Sequence, residues 1–235
     1  MSLNYWLTLK LKSDTLLGRG DGIAGMLNAE VQHDDYGLPY LSGKTLKGLL
    51  TASCGEIMFA LQQCGQEADW LVPAQHLFGG PGGIELDARS WLHVGDAVLP
   101  GDLRAAIIDD IEQSKKKTPT ERITRQTILD SLTTLRRQTA MNPQTGAPLK
   151  EALRTSRVII RGLEFSAHLL FLQKPTEREI QLLAACIKGL RRVGTNRNRG
   201  LGCVVCELYD MEPISEKARP ITAAHFNHFE KEVLR

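Results

Sequence analysis

Alternating apolar and polar side chains at both ends of this chain limit the folds that it can adopt. Residues 5–12 and 201–208 have a period of two, which predicts half-buried strands. Between them, residues 84–98 are consistent with strand pieces around Gly95, and residues 157–172 with a strand or a hairpin. The chain therefore needs a sheet whose other face is covered by helices.

Two helices are predicted by apolar residues at helical spacing, over 44–63 and 176–193. The order is then strand, helix, strand, strand, helix, strand. This order predicts an α+β fold with a modified ferredoxin-like, RNA-recognition-like βαββαβ core, whose two helices lie on one face of an antiparallel sheet.

A long insertion interrupts this core at about residues 100–156. It contains two helix-like runs, 103–114 and 124–137, followed by a turn-rich stretch at 142–148. Because no internal repeat is present, we interpret residues 1–210 as one domain with an insertion. Residues 211–235 are interpreted as a C-terminal tail that drapes over the surface.

Composition excludes several classes of protein. The 235 residues include 29 Lys+Arg and 27 Asp+Glu, for a net charge of +2, and 42% are hydrophobic, which is typical of a globular protein. No apolar run is long enough for a membrane span and no export signal is visible, so we expect no membrane partner and a cytoplasmic location. The five cysteines lack zinc-site spacing and are expected to be reduced thiols.

The near-neutral total hides two basic segments. Residues 115–137 contain seven basic and two acidic side chains, a balance of +5. Residues 191–199 contain four arginines and no acid, and they overlap the glycine-rich run 194–202. Glycine lets a backbone approach a ligand closely and arginine binds phosphate oxygens through two N–H groups, so this loop predicts anion binding.

One motif resembles a nucleotide-binding loop without completing it. Gly43, Lys44 and Thr45 begin a predicted helix, but the glycine that the P-loop needs would occupy position 38, where Leu38 stands. Pro39 also removes a backbone N–H from the cradle. ATP binding is therefore a distant alternative to phosphate binding by Lys44 and Lys47.

Four segments together resemble the RAMP (repeat-associated mysterious protein) superfamily. They are GLPYLSGKTLKGL at 37–49, HLFG at 76–79, RRQTA at 136–140 with TGAP at 145–148 and LR at 153–154, and the glycine-rich loop at 194–202. Each segment is weak alone, but four in the right order, over about residues 5–208, are specific.

The resemblance implies a backbone subunit of a type III CRISPR effector complex. Its partners would be guide CRISPR RNA, target RNA, other type III subunits and further RAMP subunits. The insertion would form a thumb-like hairpin near 136–148 that pushes between guide and target. The implied RNA-binding residues are Arg19, Lys44, Lys47, Arg136, Arg137, Arg191, Arg192, Arg197, Asn198, Arg199 and Gly200.

The resemblance also places a catalytic aspartate, working with a divalent metal, at a position that this chain fills with Asn28. An asparagine side chain is neutral, so it serves neither as a base nor as an anionic metal ligand. We therefore expect a disabled cleavage centre, no metal ligands, and a role for Mg²⁺ only if the subunit can cleave.

Two alternatives within the superfamily remain at this stage. An active metal-dependent endoribonuclease that cuts target RNA at regular intervals would use Asp21, Asp34 or Asp35. A repeat-RNA processing endonuclease would act alone with a histidine base, for which His33 is the candidate.

Overall fold

A four-stranded antiparallel sheet with helices on one face forms the centre of the protein. The computed structural model describes residues 2–22, 27–80, 89–116, 118, 121–149, 152–215 and 217–234. In chain order the elements are β1 (Asn4–Leu11), α1 (Gly43–Gln63), α2 (Ala68–Phe78), β2 (Leu92–Val94), α3 (Gly101–Ser114), α4 (Arg125–Leu132), β3 (Thr133–Gln138), β4 (Arg154–Ile159), β5 (Glu164–Phe171), α5 (Glu177–Gly189), a 3₁₀ turn (Arg197–Arg199), β6 (Val204–Tyr209) and α6 (Thr222–Val233).

The main sheet has the strand order β2-β5-β1-β6, with every neighbouring pair antiparallel. The period of two in β1 sends Tyr5, Leu7, Leu9 and Leu11 into the core, while Trp6 and Lys10 lie on the other face. Helices α1 and α5 cover the core face, so the interior is a helix layer packed on a sheet.

Side-chain caps fix where the two covering helices begin. Ser42 Oγ accepts a hydrogen bond from the Thr45 N–H of α1 at 3.4 Å. Thr176 and Glu179 form a capping box at the start of α5, in which each side chain accepts from the other residue's backbone N–H. These caps explain why the predicted helix starts lie within about one residue of the observed ones.

The insertion differs from its prediction in one respect. Residues 103–114 lie in a helix, as predicted, but the second run ends as a helix at Leu132 and continues as β3. The β-branched pair Thr133 and Thr134 favours extended backbone at this point. β3 then pairs with β4 as a separate two-stranded sheet, which we call the hairpin.

Residues 157–172 do not form a hairpin with each other. β4 pairs with β3, whereas β5 pairs with β1 and β2, so the two strands belong to different sheets. The segment 84–98 contains β2, while residues 81–88 lie outside the described residues.

The predicted tail contains a packed helix. In α6, Phe229 is buried and its ring lies 4.6 Å from that of Trp70 on α2, and α6 packs along α5. Apolar residues at positions 226, 229 and 233 give α6 one hydrophobic face. Among the described residues, no helix has the length and apolarity that crossing a bilayer requires.

Candidate nucleic-acid interface

The hairpin presents two faces with different neighbours. Residues that oppose each other across antiparallel strands point to the same side. Gln138 opposes Arg154, which places both on one face together with Arg136. Arg137 opposes Thr155 on the other face. We call the first face the loop-facing side and the second face the Arg137 side.

On the loop-facing side, Asp14 connects three segments of the chain. Its Oδ2 atom accepts hydrogen bonds from the Arg136 guanidinium, including one from Nε at 3.0 Å. Its Oδ1 atom accepts from the Arg161 N–H at 3.2 Å, and its backbone carbonyl accepts from the Gly202 N–H at 3.0 Å. Asp14 thus holds the hairpin against the glycine-rich loop.

The glycine-rich loop leaves the core at Val193 and returns at Gly202, which are joined by a backbone hydrogen bond of 2.9 Å. Gly202 has φ +77°, and a Cβ there would overlap the carbonyl oxygen of Val193. Gly194 has φ +78°, and a Cβ there would overlap the carbonyl oxygen of Leu16. Glycine is therefore required at both ends of the loop by space as well as by backbone conformation.

The arginines of this loop divide into two roles. Arg192 Nη1 donates to the carbonyl oxygens of Arg197 at 2.7 Å and of Leu201 at 3.4 Å, so Arg192 stabilises the loop itself. Arg197 and Asn198 are exposed, and their side chains have no partner among the described residues. The loop therefore offers a guanidinium and an amide to a ligand.

Arg199 brings the loop and the hairpin together. Its Nη1 atom lies 3.4 Å from Gln138 Oε1, at the edge of hydrogen-bond distance. The two residues line a groove of about 520 Å³ whose other walls are Thr139, Ala140, Ala152 and Arg154. Arg199 and Arg154 give this groove two guanidinium groups and no carboxylate, so it suits an anion.

Asn28 lies along the outer edge of β4. Its Oδ1 atom accepts from the Thr155 N–H at 2.8 Å, and its own N–H donates to the Thr155 carbonyl at 2.8 Å. Thr155 opposes Arg137 on the hairpin, so Asn28 is bonded, at the outer edge, to the backbone of the residue that pairs with Arg137. The side chain expected at a cleavage centre therefore supports the hairpin instead.

A charged cluster centred on Arg157 holds β4 to the segment that carries Asn28. Glu30 is almost completely buried, and its Oε1 atom lies 3.1 Å from Arg157 Nε on β4. Arg157 Nη1 also donates to Asp130 at 2.6 Å and to Thr133 Oγ1 at 3.0 Å. With every charge paired and hydrogen-bonded, the cluster anchors the hairpin to the segment that carries Asn28.

The remaining predicted RNA-binding residues are dispersed. Lys44, Arg137 and Arg191 are exposed, and their side chains have no partner among the described residues. Arg19 is paired with Asp21 at 2.6 Å, outside the loop-facing side. Gly200, with φ +80° and open space around it, completes the turn after Arg199.

Lys47 has a structural role that its sequence position does not reveal. Its Nζ atom donates to Ser90 Oγ at 2.7 Å and to the carbonyl of Leu92 at 2.8 Å, and burial lowers the pKa of this amine. The lysine ties α1 to β2, so it has an internal role in addition to its predicted contact with RNA phosphate, which stays a prediction.

The start of α1 is also engaged. Asp96 Oδ1 accepts from the Gly43 N–H at 2.7 Å, and Ser42 caps Thr45. A carboxylate in this position repels a phosphate, so the structure does not favour the nucleotide-binding alternative.

The acidic residues of the alternative endoribonuclease are not gathered into a site. Asp21 is paired with Arg19, whose hydrogen bond lowers the pKa of the carboxyl, and Asp34 is paired with Arg104 at 2.9 Å. Asp35 is exposed. Across the part of the chain that the structure describes, no three His, Cys, Asp or Glu side chains form a group suited to a metal.

His33, the candidate base of the processing endonuclease, contacts an arginine. His33 Nδ1 lies 3.0 Å from Arg125 Nη2, so a guanidinium faces the ring. The same Nδ1 atom lies 3.2 Å from the carbonyl oxygen of Asp34, so this ring nitrogen is already engaged within the protein. His33 is thus poorly placed as the base of a processing endonuclease.

Sequence reasoning missed Asp14 as part of this surface and left Arg154 without a role. Nothing local marks Asp14, because its partners Arg136, Arg161 and Gly202 are distant in sequence. The arginine at 154 could have been found from its place across the hairpin from Gln138, had the register been known.

Comparisons with known proteins identify the family of this chain and a similar fold. A family model described as the RAMP superfamily matches residues 8–205. The fold is similar to a chain of the cryo-EM structure of the Type III-B Cmr-beta bound to cognate target RNA, with TM-score 0.60 and 14% identity over 88% of this chain and 97% of that chain. A chain of the Type III-B Cmr-beta structure in the apo state has TM-score 0.59 and 14% identity, with the same coverage. A search of curated proteins found no match.

Proposed function

The chain belongs to the RAMP superfamily, and we propose that it is a CRISPR RNA-binding subunit of a type III interference ribonucleoprotein. The observation that carries this proposal is the meeting of the hairpin and the glycine-rich loop at Gln138 and Arg199. It brings Arg154 and Arg199, which are far apart in sequence, to one groove, and none of the described residues that line this groove is acidic.

We further propose that the main sheet and its helices are a modified ferredoxin-like core. The strand order β2-β5-β1-β6, with α1 and α5 as crossovers, supports this assignment. The hairpin would then be the thumb-like element of the insertion. Met141, Leu149 and Leu153 are exposed beyond its strands, and they would face the bases of guide and target.

The chemistry of the surface suits guide RNA held by its backbone. Guanidinium groups bind phosphate oxygens in pairs and carry no information about base identity. A protein of this kind leaves sequence recognition to base pairing between guide and target. Guide RNA, target RNA and the other subunits of the complex are therefore the partners that we propose.

We also propose that this subunit binds target RNA without cutting it. Asn28 offers no anionic oxygen, its Oδ1 atom already accepts from Thr155, and Glu30 is paired with Arg157. These residues do not fit a Mg²⁺ ion, which prefers carboxylate and water oxygens in an open site.

The test is the salt dependence of binding to a labelled single-stranded RNA, measured by fluorescence anisotropy. For single strands, the slope of log K against log salt is about −0.7 per phosphate neutralised. Arg197→Ala/Arg199→Ala should therefore flatten the slope by about 1.4. The control Lys174→Ala/Lys231→Ala removes the same charge in the connection after β5 and on α6, and it should leave the slope nearly unchanged.

Equal flattening in both variants would mean that only total charge matters and would contradict the assigned surface. Purification of the chain from its native host should also recover short RNA together with other effector subunits. Recovery without RNA would contradict the proposal at a second, independent point.

A further inference from the structure

The sheet face opposite the helices carries a groove that the proposed RNA surface does not use. Its floor consists of outward-facing residues, Trp6 and Thr8 on β1 and Ser166 and His168 on β5. One wall is residues 100–104, at the start of α3, and the other is the turn 212–214. The groove encloses about 580 Å³.

Aromatic rings form a row across this floor. Trp6 opposes His168 on β5 and Tyr209 on β6, so the three side chains share the outer face. The Trp6 and His168 ring centres are 5.1 Å apart. Trp6 is only partly buried and lines the groove. Among aromatic side chains, the indole ring of tryptophan attracts cations most strongly.

The charged lining of the groove is mainly acidic. Its carboxylates are Asp96, Asp102, Glu164 and Glu212. The guanidinium of Arg104 also lines it, but this group is paired with Asp34 at 2.9 Å. Glu164 opposes Lys10 across the strands without an ion pair, and neither Glu164 nor Glu212 has an ion-pair partner among the described residues.

Negative charge also affects Tyr209, which lies next to Trp6 on the outer face of the sheet. The pKa of the Tyr209 phenol is raised by burial and, in addition, by the negative charges of Glu164 and Glu207. A phosphate backbone would be repelled by the same charges, whereas a guanidinium or ammonium group would be attracted.

The groove also has apolar edges. Pro100 lines one wall, and Ile214, which is 54% exposed, lines the other. A ligand that matches this surface therefore combines a positive charge with flanking apolar groups. A protein segment provides both, because arginine or lysine can stand between aliphatic side chains in one extended stretch.

We propose that this groove binds an extended segment of a different protein, which places an arginine or lysine near Trp6, Glu164 and Glu212, with apolar side chains against Pro100 and Ile214. The inference is independent of RNA binding. Charge complementarity favours this occupant, because the lining carboxylates attract a cationic segment, and a second copy of this chain is tested below as the alternative.

The test uses two probes on the full chain, acetyl-Leu-Arg-Leu-amide and its citrulline counterpart, which has nearly the same shape without the charge. Binding is followed by tryptophan fluorescence, and the Trp6→Phe variant identifies the Trp6 contribution against Trp70 and Trp91. The arginine peptide should bind at least about tenfold more tightly than the citrulline peptide. Glu164→Gln/Glu212→Gln should remove most of that difference.

The matched control is Glu56→Gln/Glu230→Gln, which neutralises two exposed helix carboxylates and should bind like the wild type. Equal binding of the two peptides would overturn the proposal. So would displacement of the peptide by single-stranded RNA, which would make the groove a nucleic-acid site. Self-association abolished by the Glu164 and Glu212 changes would identify a second copy as the occupant and overturn the assignment to a different protein. Loss of RNA binding in the loop variants leaves this result unaffected, so the two proposals fail separately.

Discussion

Substitution of Asp14 by asparagine should strengthen RNA binding at low salt while weakening the fold. The change removes the negative charge that pairs with Arg136 but retains an oxygen that can accept from the Arg161 N–H. Arg136 would then be available to a phosphate. One additional neutralised phosphate makes the salt slope steeper by about 0.7, which is roughly 2.5-fold in affinity over a fourfold change in salt.

The stability cost follows from the exposure of the ion pair. The Arg136 side chain is 56% exposed, so its pairing with Asp14 is screened by water and contributes about 0.5–1 kcal/mol. In a chain of this size the Tm should fall by about 1–4 °C. Asp14→Ala also leaves the Arg161 N–H without its acceptor, and should cost roughly 1 kcal/mol more.

The assay is RNA anisotropy at several salt concentrations, together with thermal unfolding of the same samples. Asp69→Asn on α2 is the matched control, since it makes the same charge change away from the hairpin. The reasoning would be refuted by a slope that becomes shallower, or stays unchanged, in Asp14→Asn while its Tm falls as expected. That result would mean that Asp14 serves RNA binding by placing the hairpin rather than by neutralising Arg136.

Three further predictions concern other sites. In the assembled complex with Mg²⁺ and matched target RNA, Asn28→Asp should produce new cuts at the positions of this subunit, and an uncut target would contradict the idea of a disabled centre. Gly202→Ala should lower the free energy of unfolding by more than about 2 kcal/mol, because the new Cβ would overlap the Val193 carbonyl oxygen. Gly200→Ala, in open space, should lower it by about 1 kcal/mol. Similar losses for the two variants in chemical denaturation would contradict this reasoning. Burial raises the pKa of Cys206 to about 12, so the unfolded thiol ionises at lower pH than the folded one, and stability should fall by about 1.4 kcal/mol per pH unit from near pH 9 towards 12. In urea titrations Cys206→Ala should lose part of that slope, and an unchanged slope would contradict the burial argument.

Elements with strong local signals were predictable from the sequence. Helix α1 has a cap at Ser42 and a glycine after its end, at position 65, so its bounds follow from the chain alone. β1 was predictable for the same reason, since its alternation of apolar and polar residues is maintained over the whole strand. Local chemistry decides where such elements begin and end.

What could not be predicted depends on contacts between distant residues. The run 124–137 has helical spacing, yet its second half becomes β3 because β4, about 20 residues later, provides the pairing strand. The position of Asp14 is equally invisible, since its importance comes from two segments that follow it by more than a hundred residues. The internal contact of Lys47 could not be predicted either, because its burial against β2 is a property of tertiary packing.

The charge balance of +5 at residues 115–137 does not indicate how many of these cations are available to a ligand. Lys115 is paired with Glu112, and Arg125 contacts His33, so part of this charge is engaged within the protein. The arginines with the clearest access to a ligand are those placed by the loop and by the hairpin register, Arg154 and Arg197. Position in the fold, more than charge density in the sequence, decides which cations reach RNA.

Under the proposed function, different parts of the hairpin would bind RNA and carry the position of the cleavage centre. Arg136 and Arg154 lie on the loop-facing side with Gln138, which contacts Arg199, whereas Arg137 lies on the other face and Asn28 lies along the outer edge of β4. Because Glu30 and Arg157 anchor the base of the hairpin, both sides keep a fixed relation to one another. Loss of a carboxylate at position 28 would then remove cleavage without disturbing the grip on the RNA backbone, and this is why a chain with Asn28 can retain every other feature of the surface.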